Sequence, residues 1–404
     1  MTEFVIERLG HQGDGIAPGP VYVPMALPGE TVTGTPEGTR LRDMKVLHPC
    51  ADRVKPPCRH YRACGGCQLQ HASDAFVAGW KQTVVKQALS AHGLEAELRP
   101  IITSPPRSRR RAVLSARRTK KGATAGFHGR ASGVITEIPE CQLLDPALLP
   151  ALNVAEALAQ SGASRKAELS VTATLSGAGL DIAVTGGKPL DGPLLSQLAQ
   201  EAERHGLARL AWDGDVVATR SPPYQRFGMA RVVPPPGAFL QATPHGQASL
   251  LAAVQDAVTR DGTGIDLFAG CGTFTLPLAQ RAQMHGVESD AAMLSALDTG
   301  WRQAEGLKRV TTEARDLFRN PIIAADLRYD FAVIDPPRAG AEAQVAELAR
   351  ADIAEIAFVS CNPVTFARDA ATLVKAGYAL DWVQVVDQFR WSSHIELAAR
   401  FTRP

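Results

Sequence analysis

The carboxyl-terminal part of the sequence alternates short apolar runs with longer segments of helical character. After Gly237, five apolar runs follow one another, over residues 264–268, 284–288, 310–315, 329–334 and 353–359. Short apolar runs separated by helical segments are typical of parallel strands that are buried on both faces of a sheet. The pattern therefore predicts a doubly wound α/β domain.

The amino-terminal half has a different pattern. Residues 1–48 are rich in Gly, Val and Pro and contain short alternating stretches, which predict a small β-barrel. Residues 49–235 combine a cysteine cluster, a predicted helix over 73–92, strands and a helix-rich stretch from Pro146 onward. A proline-rich segment, 222–236, leads into the α/β region. We therefore expect three domains, over residues 1–48, 49–235 and 236–404.

The composition is that of an ordinary globular protein, since 45% of the 404 residues are hydrophobic and 21% are charged. The first residues lack a basic head followed by an apolar run, which predicts that there is no signal peptide. No apolar stretch reaches the roughly 18 residues that a membrane helix requires. We expect a cytoplasmic protein with no membrane partner, in which the 7 cysteines are reduced.

One segment is strongly basic, although the formal net charge of the chain is only +2. Between Arg107 and Lys121 the sequence contains eight Lys and Arg residues and no acidic residue. Residues 112–116 separate two basic clusters and predict a strand that continues into a turn. A polyanionic partner and a solvated charged hairpin explain this segment equally well.

The first apolar run leads into a turn that contains Gly270 and Gly272. Glycines between a strand and a helix allow a ligand to approach the backbone closely, although they also fit a simple tight turn. The third glycine of the dinucleotide pattern is missing. Glu288 ends the next predicted strand, where a carboxylate can accept hydrogen bonds from the ribose hydroxyls of a cofactor. With Asp316 as a candidate for the adenine side, these residues predict an adenosyl ligand.

Two further strand ends present reactive groups. Asp335 and Arg338 flank two prolines, which remove backbone donors and stiffen the loop. Cys361 directly follows the fifth predicted strand, beside the predicted cofactor crevice. This position favours a nucleophile over the alternative, a buried structural thiol.

Four motifs of the carboxyl-terminal half together resemble those of RNA uracil-C5 methyltransferases, in the same order. They are Phe239-Leu240-Gln241, Asp335-Pro336-Pro337-Arg338, Ser360-Cys361-Asn362-Pro363 and His394-Ile395-Glu396. The amino-terminal half resembles the 23S ribosomal RNA branch of that family, in which a TRAM barrel precedes a cysteine motif. The resemblance implies a class I, Rossmann-like S-adenosylmethionine methyltransferase domain, an OB-like barrel and a central α+β domain that holds an iron–sulfur cluster.

The resemblance also implies the chemistry. C5 of uracil reacts poorly with a sulfonium methyl group until a thiolate adds at C6 and makes C5 nucleophilic. By resemblance, Cys361 is this nucleophile and Glu396 is the base that removes the C5 proton. Without Cys361, we would interpret Glu396 as a surface acid on a predicted strand over 394–401. The residues expected to line the cofactor site are Gln241, Phe268, Gly270, Thr273, Glu288, Asp316 and Asp335.

A second group of candidate ligands lies in the amino-terminal half. It consists of Cys58, Cys64, Cys67 and Cys141. Four thiolates suit an iron–sulfur cluster or zinc, and the nearby His60 and His71 leave mixed zinc ligation open. Unliganded thiols are the third alternative. The resemblance favours a [4Fe–4S] cluster with a structural role in placing an RNA-binding face.

Three positions depart from the usual family pattern. Arg390 follows Phe389 where a proline is common, and Thr273 and Thr243 replace asparagines. The two predicted catalytic residues are intact, so the resemblance transfers roles rather than individual hydrogen bonds.

The resemblance therefore implies an enzyme, expected to be monomeric, that methylates C5 of a specific uridine in 23S rRNA. Three alternatives remain. The first is the same reaction on a tRNA uridine, and the second is a non-catalytic RNA-binding protein that retains the methyltransferase fold. The third is a small-molecule methyltransferase, which would need no cysteine nucleophile.

Overall fold

Three large β-sheets and the helices packed on them organise the chain. The computed structural model describes residues 2–403, so Met1 and Pro404, the outermost residues of the predicted domains, lie outside the described part. Within residues 2–403 no helix combines the length and the apolar character needed to cross a lipid bilayer.

The first sheet is built from the amino-terminal residues. Its strands are β1 (Thr2–Val5), β2 (Arg8–Leu9), β3 (Gly15–Ala17), β4 (Val21–Val23), β5 (Thr31–Glu37) and β6 (Arg40–His48). They lie in the order β1-β5-β6-β4-β3-β2 on a small core that includes Ile6, Val23 and Val32. The pairing of β5 with β6 shifts register twice, and such irregularities bend a sheet. A curved six-stranded sheet thus occupies the stretch in which the sequence predicts a small barrel.

The middle of the chain forms a second sheet. The elements of this stretch are α1 (Asp74–Ser90), β7 (Glu97–Thr103), β8 (Arg111–Arg118), β9 (Ala123–His128), β10 (Ile135–Thr136), α2 (Ala151–Gly162), β11 (Glu168–Ser176), β12 (Gly179–Thr185), α3 (Gly192–Arg204), β13 (Arg209–Trp212), β14 (Asp215–Thr219), β15 (Gln225–Phe227) and β16 (Ala230–Val232). Seven strands form the sheet, in the order β10-β9-β8-β11-β12-β13-β14, with α2 packed on β8 and β9. β15 and β16 form a separate hairpin before the last domain.

The carboxyl-terminal part is an α/β domain, as predicted. Its elements are α4 (Pro244–Ala257), β17 (Gly262–Leu267), α5 (Thr275–Leu278), β18 (Ala282–Glu288), α6 (Ala291–Arg302), β19 (Val310–Ala314), β20 (Phe331–Ile334), α7 (Glu342–Arg350), β21 (Glu355–Ser360), α8 (Pro363–Lys375), β22 (Ala379–Asp387) and β23 (Leu397–Thr402). The sheet order is β19-β18-β17-β20-β21-β23-β22-β7. The first five strands of that order are parallel, whereas β23 is antiparallel to both of its neighbours. All five predicted strands are present, and the segment after the glycine turn contains only the single helical turn α5.

The domain boundaries predicted from the sequence are too simple in one respect. β7 and α1 lie within the segment assigned to the central domain, yet both join the carboxyl-terminal domain. β7 pairs in parallel with β22, and α1 packs against α8. Val85 and Leu89 of α1 share a core cluster with Phe358 of β21. The apolar face of α1 is therefore buried by the carboxyl-terminal sheet, and a local hydrophobic pattern does not reveal which sheet an element joins.

The basic segment forms β8 and the turn into β9, as predicted, but its arginine triplet does not form an exposed basic surface. Arg110 is buried, and its Nε donates to the carbonyl of Gln241 at 3.1 Å. Arg111 donates to the carbonyl of Gly237 at 3.0 Å. These arginines therefore tie the central sheet to the chain that enters the α/β domain. The exposed basic residues of the segment are Arg107, Arg117, Arg118, Lys120 and Lys121.

Candidate active site

The carboxyl-terminal edge of the large sheet gathers most of the predicted site residues. Parallel strands end at the same edge, so residues that follow them come together there. Phe268 follows β17, Glu288 ends β18 and Asp316 follows β19. Asp335 follows β20 and Cys361 follows β21. The fold thus brings five residues that are far apart in the sequence to one edge of the sheet.

Cys361 and Glu396 are neighbours at this edge because β21 and β23 pair in antiparallel fashion. Ser360, which precedes Cys361, pairs with Leu397, which follows Glu396. One further step along this register brings Cys361 and Glu396 together. Glu396 is only 3% exposed, so it is not a surface acid, whereas Cys361 is partly exposed. The predicted strand over 394–401 in fact begins at Leu397, directly after Glu396.

Three carboxyl groups lie close to each other in this region. Burial raises the pKa of Glu396 to about 7. Nε2 of Gln388 donates a hydrogen bond to Oε2 of Glu396 at 3.0 Å, and this bond acts in the opposite direction. Burial raises the pKa of Asp335 well above its ordinary range, and the charges of Glu396 and Asp266 act in the same direction. Burial also raises the pKa of Asp266 to about 7. Groups that titrate near neutral pH can gain and lose protons during a reaction, as general acid–base catalysis requires.

The Cys361 thiol is strongly affected by the same surroundings. Burial raises its pKa to about 12, and the negative charges of Glu396 and Asp335 add to that rise. Arg338 has the opposite effect, because a nearby cation favours the thiolate. The backbone carbonyl of Arg338 accepts a hydrogen bond from Nδ2 of Asn362 at 2.9 Å, which ties the Arg338 loop to the Cys361 loop. Arg338 is therefore a nearby cation that opposes the rise in the pKa of Cys361.

Gln388 is a site residue that sequence reasoning missed. Its Nε2 donates to Glu396 and to Oε1 of Gln241, while its Oε1 accepts a hydrogen bond from the backbone N–H of Ala242 at 2.8 Å. The amide thereby connects Gln241, predicted to line the cofactor site, with Glu396. Gln388 lies eight residues before Glu396 in an irregular connection, and no local pattern in the sequence distinguishes it.

The turn after β17 has a backbone conformation that favours glycine. Phe268, Gly270 and Gly272 all have positive φ angles, of 67°, 55° and 88°. Gly270 N–H donates to Oε2 of Glu288 at 3.1 Å, which joins two predicted cofactor residues directly. A Cβ on Gly272 would lie 2.8 Å from Leu297 Cγ, so both the backbone angle and the packing require glycine there. Thr273 is partly buried in the same turn.

Asp316 is connected to this loop through the turn that follows it. Its Oδ1 accepts hydrogen bonds from the backbone N–H groups of Phe318, at 3.0 Å, and Arg319, at 3.3 Å. The Phe318 ring in turn lies 5.5 Å from the Phe268 ring, centroid to centroid. Asp316 therefore orders the turn that places an exposed aromatic ring beside the glycine loop.

The four amino-terminal cysteines are all buried within one core cluster. Burial raises the pKa of Cys67 to about 12, and the negative charges of Cys141, Cys64 and Cys58 act in the same direction, so the four thiols are mutual neighbours. The backbone N–H groups of Gly66 and Leu143 donate to the sulfurs of Cys64 and Cys141, at 3.3 and 3.4 Å.

These side chains are not arranged to bind one metal ion. No group of three or more His, Cys, Asp or Glu side chains within residues 2–403 could hold a single metal ion. His71, a candidate for mixed zinc ligation, has its Nδ1 2.6 Å from the hydroxyl of Tyr61, and burial lowers its pKa to about 4. The described residues therefore give no support to mixed ligation of zinc through His60 or His71.

Comparisons with known proteins agree with the motifs. The model of the tRNA (uracil-5-)-methyltransferase family matches residues 235–403. The whole chain is 42% identical to an uncharacterized RNA methyltransferase of Mesorhizobium japonicum, of which 98% is covered. It is 32% identical to a 23S rRNA (uracil(1939)-C(5))-methyltransferase of Chromohalobacter salexigens, with 98% of this chain and 88% of that protein covered. The chain belongs to the RNA uracil-C5 methyltransferase family. As a member, it is an S-adenosylmethionine-dependent enzyme that methylates uracil in RNA.

A solved structure extends the likeness to the entire fold of this methyltransferase. The crystal structure of Pyrococcus abyssi tRNA (uracil-54, C5)-methyltransferase in complex with S-adenosyl-L-homocysteine matches with a TM-score of 0.78. The match covers 99% of this chain and 100% of that chain, at 21% sequence identity. The arrangement of all three sheets is therefore shared, including the amino-terminal half that the family model does not match.

The electrostatics of the site predict how the Cys361 thiol responds to a neighbouring charge. Replacing Glu396 with Gln removes a negative charge, so the thiol pKa should fall and the thiolate fraction at a given pH should rise. We expect alkylation of Cys361 by iodoacetamide at pH 8 to accelerate by about three- to tenfold, measured by peptide mass spectrometry. The matched control is Glu305→Gln on the exposed surface, which should leave the rate unchanged. Equal rates in Glu396→Gln and the control would contradict the proximity of the two groups.

Proposed function

We propose that this methyltransferase acts through a covalent bond between Cys361 and C6 of a uridine, with Glu396 as the base that resolves the adduct. The observation that supports this proposal is the β21–β23 register, which makes a partly exposed thiol and a buried carboxyl group neighbours at one sheet edge. A small-molecule or amino-group methyltransferase would need neither group in this relation.

In the proposed reaction the Cys361 thiolate adds to C6, and the electron pair of the C5–C6 bond becomes available at C5. Bound S-adenosylmethionine would supply the electrophilic methyl group: C5 forms the new carbon–carbon bond while the sulfonium–methyl bond breaks, and S-adenosylhomocysteine is the leaving group. Glu396 then removes the proton from C5, the C5–C6 double bond is restored, and the Cys361 sulfur leaves C6 as thiolate. No net charge remains on the uracil, and the thiolate is regenerated.

The pKa values of the site fit these roles. Because the pKa of Glu396 is raised to about 7, a substantial part of it is ionised near neutral pH and can accept a proton. Because the pKa of Cys361 is raised, its ionisation needs help. We propose that Arg338 stabilises the thiolate.

We also propose that the glycine loop and its neighbours bind the cofactor. Glu288 already accepts the Gly270 N–H, so its carboxylate is fixed beside the loop that would approach the nucleoside. Gln241 is held by Gln388 at the side of Glu396. Phe268, Thr273, Asp316 and Asp335 complete the proposed lining. Asp335 follows β20, which lies between β17 and β21 in the sheet. We propose that it contacts both the cofactor and the uracil ring.

As the substrate we propose a uridine of 23S rRNA. The support is the likeness, over nearly the full length of both chains, to a relative named as a 23S rRNA methyltransferase. The structural neighbour named as a tRNA enzyme has a lower sequence identity, and its likeness concerns the fold alone. We further propose that the amino-terminal sheet and the exposed basic residues of the β8–β9 turn contact the RNA backbone.

For the four amino-terminal cysteines we propose a [4Fe–4S] cluster, held by Cys58, Cys64, Cys67 and Cys141, with a structural role. Ligands of a single zinc ion lie within about 4 Å of each other because each Zn–S bond is about 2.3 Å, whereas in a cluster each thiolate binds a different iron. The support for this proposal is that four buried thiols are mutual neighbours within one core cluster. Arg109 and Arg130 lie beside these thiols and would offset the negative charge of the cluster.

The catalytic roles are separable by two variants. We expect Cys361→Ala to abolish both methyl transfer and the covalent protein–RNA adduct. Glu396→Gln should form the adduct but fail to resolve it, because the C5 proton stays in place. Adducts are measured by denaturing gel electrophoresis with labelled RNA, and methyl transfer with labelled S-adenosylmethionine. Full turnover by Cys361→Ala would exclude the mechanism.

The target is identified by mapping 5-methyluridine in RNA from cells that lack the gene. We expect one position in 23S rRNA to lose its methyl group, and the purified enzyme to restore it on unmodified rRNA. Loss of a tRNA methyl group instead would keep the chemistry and exclude the proposed substrate. If neither RNA changes, both 23S rRNA and tRNA are excluded as the substrate.

The cluster predicts a defined metal content. Protein purified without oxygen should contain about four iron atoms and about four sulfides per chain. Cys141→Ser should lose most of the iron, whereas Cys50→Ser, which changes a cysteine outside the group of four, should retain it. One zinc ion per chain, or iron that persists in Cys141→Ser, would contradict the cluster.

A further inference from the structure

Lys81 of α1 is a fully buried lysine, with 0% of its surface exposed. Its Nζ lies 2.6 Å from Oδ1 of Asp387, 2.8 Å from the carbonyl of His394 and 3.3 Å from the carbonyl of Phe389. An ammonium group has three protons, and these three acceptors can use all of them. Because all three protons have an acceptor, the buried charge of Lys81 is fully satisfied by specific hydrogen bonds.

All three acceptors belong to the segment that presents Glu396. Asp387 is the last residue of β22, and Phe389 and His394 lie in the connection, residues 388–396, that leads to β23. Lys81 therefore bonds both ends of this connection at once. Gln388, which donates to Glu396, lies between two of the acceptors, and Glu396 itself is two residues beyond the third.

The connection has little regular structure of its own to fix it. Its residue Trp391 has a φ angle of +60°, which is unfavourable for a large side chain. The carbonyl of Trp391 accepts hydrogen bonds from the N–H groups of Gln68 and Leu69, at 2.8 and 2.9 Å. Arg390 donates to the carbonyl of Ser104 at 3.1 Å. The conformation that places Glu396 thus depends on residues from the amino-terminal half.

A buried ion pair is an expensive way to stabilise a helix. Desolvation of both charges opposes their attraction, and apolar side chains of similar volume often stabilise a fold as well or better. Burial lowers the pKa of Lys81, while the charge of Asp387 raises it. Lys81 also lies in the apolar row Val77-Lys81-Val85-Leu89 of α1, where a leucine or methionine would satisfy the packing alone. An apolar residue at this position could not form the three hydrogen bonds that fix the 388–396 connection.

We propose that Lys81 is a positioning residue for the catalytic base, which fixes the 388–396 connection so that the Glu396 carboxylate faces the C5 proton of the adduct. This inference rests on the proposed function of Glu396. It adds that adduct resolution, and not adduct formation, depends on a side chain more than 300 residues away in sequence, outside the segment that the family model matches.

The test is Lys81→Met, which keeps the length and the apolar stem of the side chain and removes its charge. Misplacement of a catalytic group by about 1 Å can slow a step by about 100-fold, so we expect resolution to slow by about 10- to 100-fold. Unmodified RNA should then accumulate as the methylated covalent adduct, as with Glu396→Gln. The rate of adduct formation and the KM for S-adenosylmethionine should stay within about twofold of wild type, since Cys361 and the glycine loop do not contact Lys81. Lys86→Met, an exposed position of the same helix, is the matched control and should resolve the adduct normally.

The double variant Lys81→Met with Asp387→Leu separates positioning from simple stability. Lys81→Met alone leaves Asp387 buried without its partner, which is destabilising. The double variant has no orphan charge and should recover much of the thermal stability, but it should still resolve the adduct slowly because the carbonyls of Phe389 and His394 remain unbonded. If the double variant resolves the adduct at the wild-type rate, Lys81 is structural only and the proposal is wrong. If Glu396→Gln itself accumulates no adduct, the proposed function fails instead.

Discussion

The antiparallel pairing of β23 with β21 is the constraint on which the active site depends. Five parallel strands place the glycine loop, Asp335 and Cys361 at one edge of the sheet. If the last strand were also parallel, Glu396 would not reach that edge. A six-residue strand is about 20 Å long, so a parallel β23 would start with Glu396 at the opposite edge. Reversal of this one strand returns the chain to the Cys361 edge and buries a carboxyl group there. Residues 388–396 make the reversal, and this is why so many side chains from other parts of the fold hold that connection.

Burial at this edge has two opposite chemical consequences. It raises the pKa of Glu396 into the range where a carboxylate is a useful base, and it raises the pKa of Cys361 away from the range where a thiol ionises readily. The same low-polarity surroundings therefore favour the second half of the reaction and hinder the first. Arg338, which is exposed, opposes the rise in the pKa of Cys361. The site thus combines the buried carboxyl group of the proposed base with the partly exposed thiol of the proposed nucleophile.

The sequence predicted the parts of the site that depend on strand ends. Phe268, Glu288, Asp335 and Cys361 follow apolar runs, and parallel topology brings such positions together without further information. It did not reveal Gln388, whose partners lie in an irregular connection, nor Lys81, whose main partner is 306 residues away. One signal for Lys81 was present, since a lysine interrupts an apolar row with a spacing of four residues on a predicted helix. The arginine triplet suggested an exposed basic surface that the fold does not form there. Arg110 and Arg111 bond backbone carbonyls instead. A cluster of charged residues in a sequence does not show which guanidinium groups are exposed.

The most direct test of the account is to identify the atom that bonds the RNA. The enzyme is incubated with S-adenosylmethionine and RNA that contains 5-fluorouridine, in which fluorine at C5 prevents proton removal, and the trapped complex is digested and sequenced by mass spectrometry. The account predicts a methylated fluorouridine on the peptide that contains Cys361 and on no other cysteine peptide. A nucleotide attached to a different cysteine, or turnover with no attachment at all, would contradict the pairing of Cys361 and Glu396 across β21 and β23 as the basis of catalysis.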